Sequence, residues 1–196
     1  MNQVSSTVGN GSVGNGSAAK GGAKKEKAAQ EVVLRQYLTF QLGSELFALP
    51  IEHIREIIEF GNITTIPLMP DFMRGVINLR GSVVPVIDLS SRFGRDQTEV
   101  GRRTCVIILE VNNPEIDLQL LGVLVDAVSE VMSIDLEQIE ARPTFGANLR
   151  TDFIEGILKV DGKMVIILDV RQVVSLEELA SLVGVASGDM AEDDNP

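Results

Sequence analysis

The chain has 196 residues with 28 acidic against 17 basic side chains, a formal net charge of −11. Nucleic acid and anionic membrane surfaces are polyanions that repel such a protein, so both are disfavoured as direct partners. One cysteine (Cys105), one histidine (His53) and one tyrosine (Tyr37) exclude an internal disulfide and a cysteine zinc cluster, and leave few groups for acid–base or metal work.

Residues 1–30 hold six of the eighteen glycines and no Leu, Ile or aromatic residue. Such a stretch buries too little apolar area to offset its ordering entropy, so a flexible Gly/Ser/Asn-rich tail is expected over 1–33. Its glycines precede no strand–helix pattern and are not read as a phosphate loop. From Gln36 the signal is mostly strand. Gln36–Leu42 alternates, Gly43-Ser44 offers a turn, and Glu45–Leu49 follows. Over 51–58 the apolar residues Ile51, Ile54, Ile57 and Ile58 show helical spacing, with Glu52 and Glu56 four apart, so a helix is expected there. Gly75–Leu79 and Val83–Leu89 are Val/Ile-rich runs around Arg80-Gly81-Ser82. Thr104–Val111 and Ile116–Val125 flank Asn112-Asn113-Pro114. Gly156–Val160 and Lys163–Val170 flank Asp161-Gly162, a strong two-residue hairpin turn. Ser175-Leu176-Glu177-Glu178 reads as a capping box opening a helix through about Leu182, and an acidic disordered end is expected over 183–196. No apolar run reaches the ~18–20 residues that span a bilayer, and no secretory leader is visible, so a soluble cytoplasmic protein is expected.

An internal repeat organises the body. Sliding the chain by 81 residues lays DFMRGVINLRGSVVPVIDL (71–89) over DFIEGILKVDGKMVIILDV (152–170), with six of nineteen positions identical. With an offset of 74, IEHIREII (51–58) lies over VDAVSEVM (125–132). The body therefore reads as a duplicated unit, near 36–95 and 103–174. So small a strand-rich unit has a thin core and exposed edges, which closure into a small barrel removes. Two small β-barrel subdomains with a groove between them are expected.

The repeat also marks where the copies differ. Asn78 and Arg80 of the first become Lys159 and Asp161 in the second, so the fold does not require the arginine; from the repeat alone a solvated hairpin-tip arginine and an arginine with a local task both fit. Glu56, on the polar side of the expected helix, reads as a solvated acid; should it meet Arg80 instead, a bidentate pair would hold the guanidinium rigid. Asp88 and Asp169 occupy equivalent positions, which fits capping hydrogen bonds in each copy; a small β-barrel acid hydrolase using both is the competing catalytic reading. Cys105 and His53 read as structural. Met69, Met73 and Met132 read as core filling or adaptable contacts.

YLTFQLGSELFALPIEHIREII, IPLMPDFMRGVINLRGSVVPVIDL, GVLVDAVSEVMSI and FIEGILKVDGKMVIILDV together resemble the CheW family of chemotaxis adaptors over about 34–182. The resemblance implies a mainly β fold of two SH3-like five-stranded barrels with short helices. It implies no enzyme activity, no cofactor and no metal. It implies a bridge between the cytoplasmic tip of methyl-accepting chemotaxis receptors and the regulatory domain of the histidine kinase CheA, in arrays at the inner membrane without insertion into it. Carried over by motif, the receptor-facing residues are Ile54, Gly75, Asn78 and Arg80, with Glu56 the ion-pair partner of Arg80. Gly75 would leave room for a receptor helix against the strand. Kinase-facing residues are left unassigned. A related chemosensory pathway, such as surface sensing or pilus motility, is the alternative setting.

Overall fold

The computed structural model describes residues 32–111, 120–142 and 152–173. Strands β1 (Leu34–Leu42) and β2 (Glu45–Pro50) form a hairpin across Gly43-Ser44, with Gly43 at φ +62° where a side chain is disfavoured. A 3-10 turn at Ile51–His53 leads into β3 (Ile54–Glu59). Then come β4 (Met73–Leu79), β5 (Ser82–Asp88), the short helix α1 (Leu89–Arg92), β6 (Cys105–Glu110), β7 (Leu120–Val125) and β8 (Ala127–Asp135). A second 3-10 turn at Leu136–Gln138 precedes β9 (Glu140–Ala141), β10 (Ile154–Val160), β11 (Lys163–Leu168) and α2 (Val170–Val173).

The helix expected over 51–58 is therefore a correction: after one 3-10 turn the segment is a strand. Ile54, Ile57 and Ile58 are β-branched and stiff at χ1, which favours the pleated surface, and two helical turns in isolation would be marginal. Ile54, Glu56 and Ile58 are half-buried while Arg55, Ile57 and Glu59 are exposed, an alternation of two. The helix expected over 175–182 lies outside the described residues, as do both expected tails beyond Val32 and Val33.

Two sheets result. The six-stranded sheet has order β8-β1-β2-β11-β10-β9, and the five-stranded sheet β3-β6-β7-β5-β4. Neither is built from one repeat alone. The first repeat lends β1 and β2 to the six-stranded sheet, and the second lends β6 and β7 to the five-stranded one, through parallel pairs β2–β11 and β5–β7. The expectation that each repeat closes on itself is corrected by this exchange: the sequence repeats near 36–95 and 103–174 are not the sheet boundaries.

Three apolar clusters follow from the arrangement. Ile77, Val84, Val86, Val106, Ile108 and Leu124 form a cluster drawn from the strands of the five-stranded sheet. Tyr37, Ala48, Ile134, Leu158, Val165 and Ile167 do the same for the six-stranded sheet. The largest cluster draws on both sheets, with Phe40, Phe47, Ile87, Leu109, Leu121 and Leu168 among its members. Strands such as β6 are buried on both faces, Ile107 and Leu109 toward the shared core and Val106 and Ile108 toward their own sheet. That is why they read as continuous apolar runs.

The chain ties the two ends of each sheet together by the same device. After β3, at one edge of its sheet, Thr64 crosses to bond Val76 of β4 at the other edge, N–H to O in both directions at 2.8 Å. After β8, β9 does the same against β10, with Glu140 opposite Ile157, the repeat counterpart of Val76. Each strap passes over a glycine. A Cβ on Gly75 would lie 2.2 Å from the Thr64 carbonyl oxygen, and one on Gly156 would lie 2.4 Å from Ile139 Cγ2 and 2.8 Å from the Glu140 carbonyl oxygen. The glycine repeated at both positions thus answers to a close backbone approach.

Candidate functional site

The corner where β3 meets the β4–β5 hairpin gathers three of the expected residues. Arg80 and Gly81 are the central pair of the turn, with φ +52° and +94°, and β4 ends one residue earlier at Leu79. The Gly81 amide donates to Asn78 Oδ1 at 2.8 Å, so Asn78 braces the turn from the end of β4. Arg80 Nη2 donates to Glu56 Oε2 at 2.9 Å. Because β3 and β4 are opposite edges of the five-stranded sheet, this ion pair spans the gap between the edges. The contact is one hydrogen bond, a correction to the bidentate pair expected.

The arginine side chain is 77% exposed and that of Glu56 is 22% exposed. Solvent screening therefore limits the pair to about 0–1 kcal/mol of stability. Against this, an L-residue in the left-handed region costs roughly 1–2 kcal/mol. The hairpin holds a guanidinium at its tip where Asn, Asp or Gly would fold better.

Ile54 lies two residues before Glu56 on β3 and is half-buried against the shared core. Gly75 is buried, and the space its missing side chain leaves is filled by Ile63 and Thr64 of the strap. The expectation that Gly75 makes room for a partner is corrected accordingly: the chain itself occupies that space. The corner has two features that the sequence reading passed over. Val83 stands directly across the β4–β5 pair from Asn78 and is 70% exposed, and Ile57 beside Glu56 is 43% exposed. Reading 54–59 as a strand is the signal that would have found Ile57, since a period of two puts it opposite Ile54, Glu56 and Ile58.

A cleft of about 600 Å³ lies elsewhere, on the six-stranded sheet, lined by residues such as Leu46, Ile154, Met164 and Ile166. None of the expected site residues lines it. Asp88 and Asp169 each serve their own helix. Asp88, fully buried, accepts from the Ser90 and Ser91 amides and from both the amide and the hydroxyl of Thr98. Asp169 accepts from the Arg171 amide. Cys105 is half-buried at the start of β6, its thiol donating to the Arg103 carbonyl at 3.2 Å, and is less enclosed than its apolar run implies. His53 ends the 3-10 turn. Among the described residues no group of His, Cys, Asp and Glu is placed to hold a metal, and no helix is long and apolar enough to cross a membrane.

Residues 36–178 match the model of the CheW-like domain. The chain belongs to the CheW family. It is 36% identical over 158 residues to chemotaxis protein CheW of Klebsiella aerogenes, covering 81% of this chain and 92% of that protein. It is 26% identical over 128 residues to Protein FrzA of Myxococcus xanthus, covering 65% and 76% respectively. The crystal structure of scaffolding protein TtCheW from Thermoanaerobacter tengcongensis superposes with a TM-score of 0.62 at 38% identity, covering 74% of this chain and 91% of that one. The mainly β, CheW-like architecture expected from the residues is the one found, and the chain is a CheW-type chemotaxis adaptor.

Proposed function

We propose that this CheW-family chain couples methyl-accepting chemotaxis receptors to the histidine kinase CheA, with the receptor's helical tip docking at the β3/β4–β5 corner. Arg80, Asn78 and Ile54 are the receptor-facing residues, Glu56 orients Arg80, and Gly75 acts beneath them by admitting the strap that shapes the corner. The observation that carries this reading is Arg80 itself: exposed, strained, tethered by one ion pair, and replaced by aspartate in the other copy of the same hairpin. Val83, across the hairpin from Asn78, adds exposed apolar area of the kind a helix packs against.

The mechanism needs no reaction of its own. Holding receptor and kinase on one body converts their encounter into an intramolecular one and raises effective concentration. Receptor state alters kinase activity to the extent that the ternary contacts differ in free energy between the kinase-on and kinase-off arrangements. The protein works in the cytoplasm at receptor arrays, without entering the bilayer. The similarity to Protein FrzA favours a second reading, in which the same adaptor serves a related chemosensory pathway.

The test is a pull-down of the full chain with a receptor tip fragment and CheA, wild type against Arg80→Ala. A ternary complex with wild type, and selective loss of the receptor in the variant, is the expected result. Equal receptor capture by both would sink the site assignment; capture of neither partner would sink the coupling.

A further inference from the structure

Phe72 and Phe153 are repeat counterparts, 81 residues apart, and each stands at the root of a hairpin just before β4 or β10. Their backbones are held alike: the Asp88 amide donates to the Phe72 carbonyl at 2.7 Å, and the Asp169 amide to the Phe153 carbonyl at 2.9 Å. Both rings also meet one side chain. The guanidinium carbon of Arg92 lies 4.6 Å from the Phe72 ring centroid and 5.2 Å from that of Phe153.

Arg92 is 8% exposed and ends α1, whose N-cap is Asp88 at the end of β5. Its own repeat counterpart is Val173, an apolar residue 1% exposed. One copy of the duplication therefore supplies a cation that contacts the roots of both hairpins, and the other supplies only packing. The contact continues into the six-stranded sheet through a column of rings: Phe153 to Phe93 at 5.4 Å, Phe93 to Phe47 at 5.8 Å, Phe47 to Phe40 at 5.9 Å. A guanidinium is planar and weakly hydrated, so it lies against aromatic rings at low desolvation cost, and the attraction grows as water is excluded.

We propose that Arg92 is a positioning residue that ties the roots of the β4–β5 and β10–β11 hairpins together, so that a displacement at one hairpin is felt by the other. The tie runs from Phe72, at the base of the strand leading to Arg80, through one guanidinium to Phe153, at the base of the equivalent strand in the other sheet. It is a property of the fold and stands whether or not the receptor docks at the first hairpin.

A double-mutant cycle on the full chain tests it. Phe72→Leu and Phe153→Leu are made singly and together, in the native background and with Arg92→Met or Arg92→Lys, and read by thermal unfolding. With Arg92 present the two leucine substitutions should be non-additive by about 2 °C or more, since coupling through one shared partner is what such cycles detect. With methionine the non-additivity should vanish, and lysine should restore part of it. Additivity in the native background would overturn the proposal, as would non-additivity undiminished by Arg92→Met. Amide exchange of Arg92→Met gives a second reading that needs no doubly substituted chain: protection should fall at both Asp88 and Asp169, and a loss confined to Asp88 and α1 would overturn the tie.

Discussion

The hairpins 73–88 and 154–168 are one design used twice. Each carries a bulge just before its glycine, Met73/Gly75 in one and Ile154/Gly156 in the other, and each turns on two residues with positive φ. Each is overlaid by a strap at its glycine and ends in an aspartate that caps a short helix. What differs is on the surface. The second hairpin turns on Asp161-Gly162, the favoured chemistry for such a turn, while Lys159 pairs with Glu140 at 3.1 Å within its own sheet. The first turns on Arg80-Gly81 and sends the arginine across to Glu56. The backbone requirements survived duplication because sterics admit few answers. The tip chemistry diverged, and the copy that gave up turn stability is the one read as the docking corner.

The strongest way to break this comparison is to fill the two glycines. Gly75→Ala should cost about 3 kcal/mol or more, because its Cβ meets a backbone oxygen and its φ of +135° is one that side chains rarely adopt. Gly156→Ala should cost less, about 1–3 kcal/mol, since its nearest obstacle is a side-chain methyl, the backbone oxygen of Glu140 lies farther off at 2.8 Å than that of Thr64 does from Gly75, and its φ is not left-handed. Urea unfolding of the two variants orders them; equal or negligible losses would remove the strap from the account.

Exchanging the tips sharpens the functional half. Arg80→Asp should reduce affinity for a receptor tip by about 10-fold to 100-fold, the worth of a charged hydrogen bond at an interface. Its melting temperature should stay level or rise, because aspartate suits the turn and the lost ion pair is exposed. Asp161→Arg should leave receptor affinity unchanged. Titration calorimetry with thermal melts separates the two effects, and a parallel loss of stability and binding in Arg80→Asp would count against a binding role.

Smaller effects come from two positions outside the aligned stretches of the repeat, Leu68 and Tyr37. Leu68 is fully exposed and sits at φ +63°, so Leu68→Gly should stabilise the fold by up to about 1 kcal/mol, visible as a higher melting temperature. Tyr37 is buried in the six-stranded sheet, and its hydroxyl makes no well-aligned hydrogen bond among the described residues although the Arg35 side chain stands beside it. Burial pushes the phenol above its ordinary value, with neighbouring Arg35 pulling it down. A raised folded-state value means the unfolded chain loses the proton first. The contribution of Tyr37 is then intact below about pH 10 and fades as pH rises through the folded-state value. Tyr37→Phe should be neutral or stabilising by about 1 kcal/mol at neutral pH, and should flatten the stability profile above pH 10. A steeper alkaline loss in the variant would contradict that sign.

Much of this molecule was legible in one dimension. Alternation and turn residues located β1, β2, β4, β5, β6, β10 and β11 because those patterns report local geometry. The internal repeat by itself exposes the Arg80/Asp161 difference. Where local signals competed, pattern failed: Ile51–Ile58 carries helical spacing, and only pairing with β6 makes β3 a strand. The reason for Gly75 could not be read either, since the atom that would clash belongs to Thr64, eleven residues earlier, and the reach of that strap is set by the sheet it closes. Sequence determined the elements, the duplication and the residue that breaks it. The exchange of hairpins between sheets, the ion pair across the sheet edges and the meeting of Phe72 and Phe153 on Arg92 were decided by tertiary packing, because each depends on which apolar faces find one another across the chain.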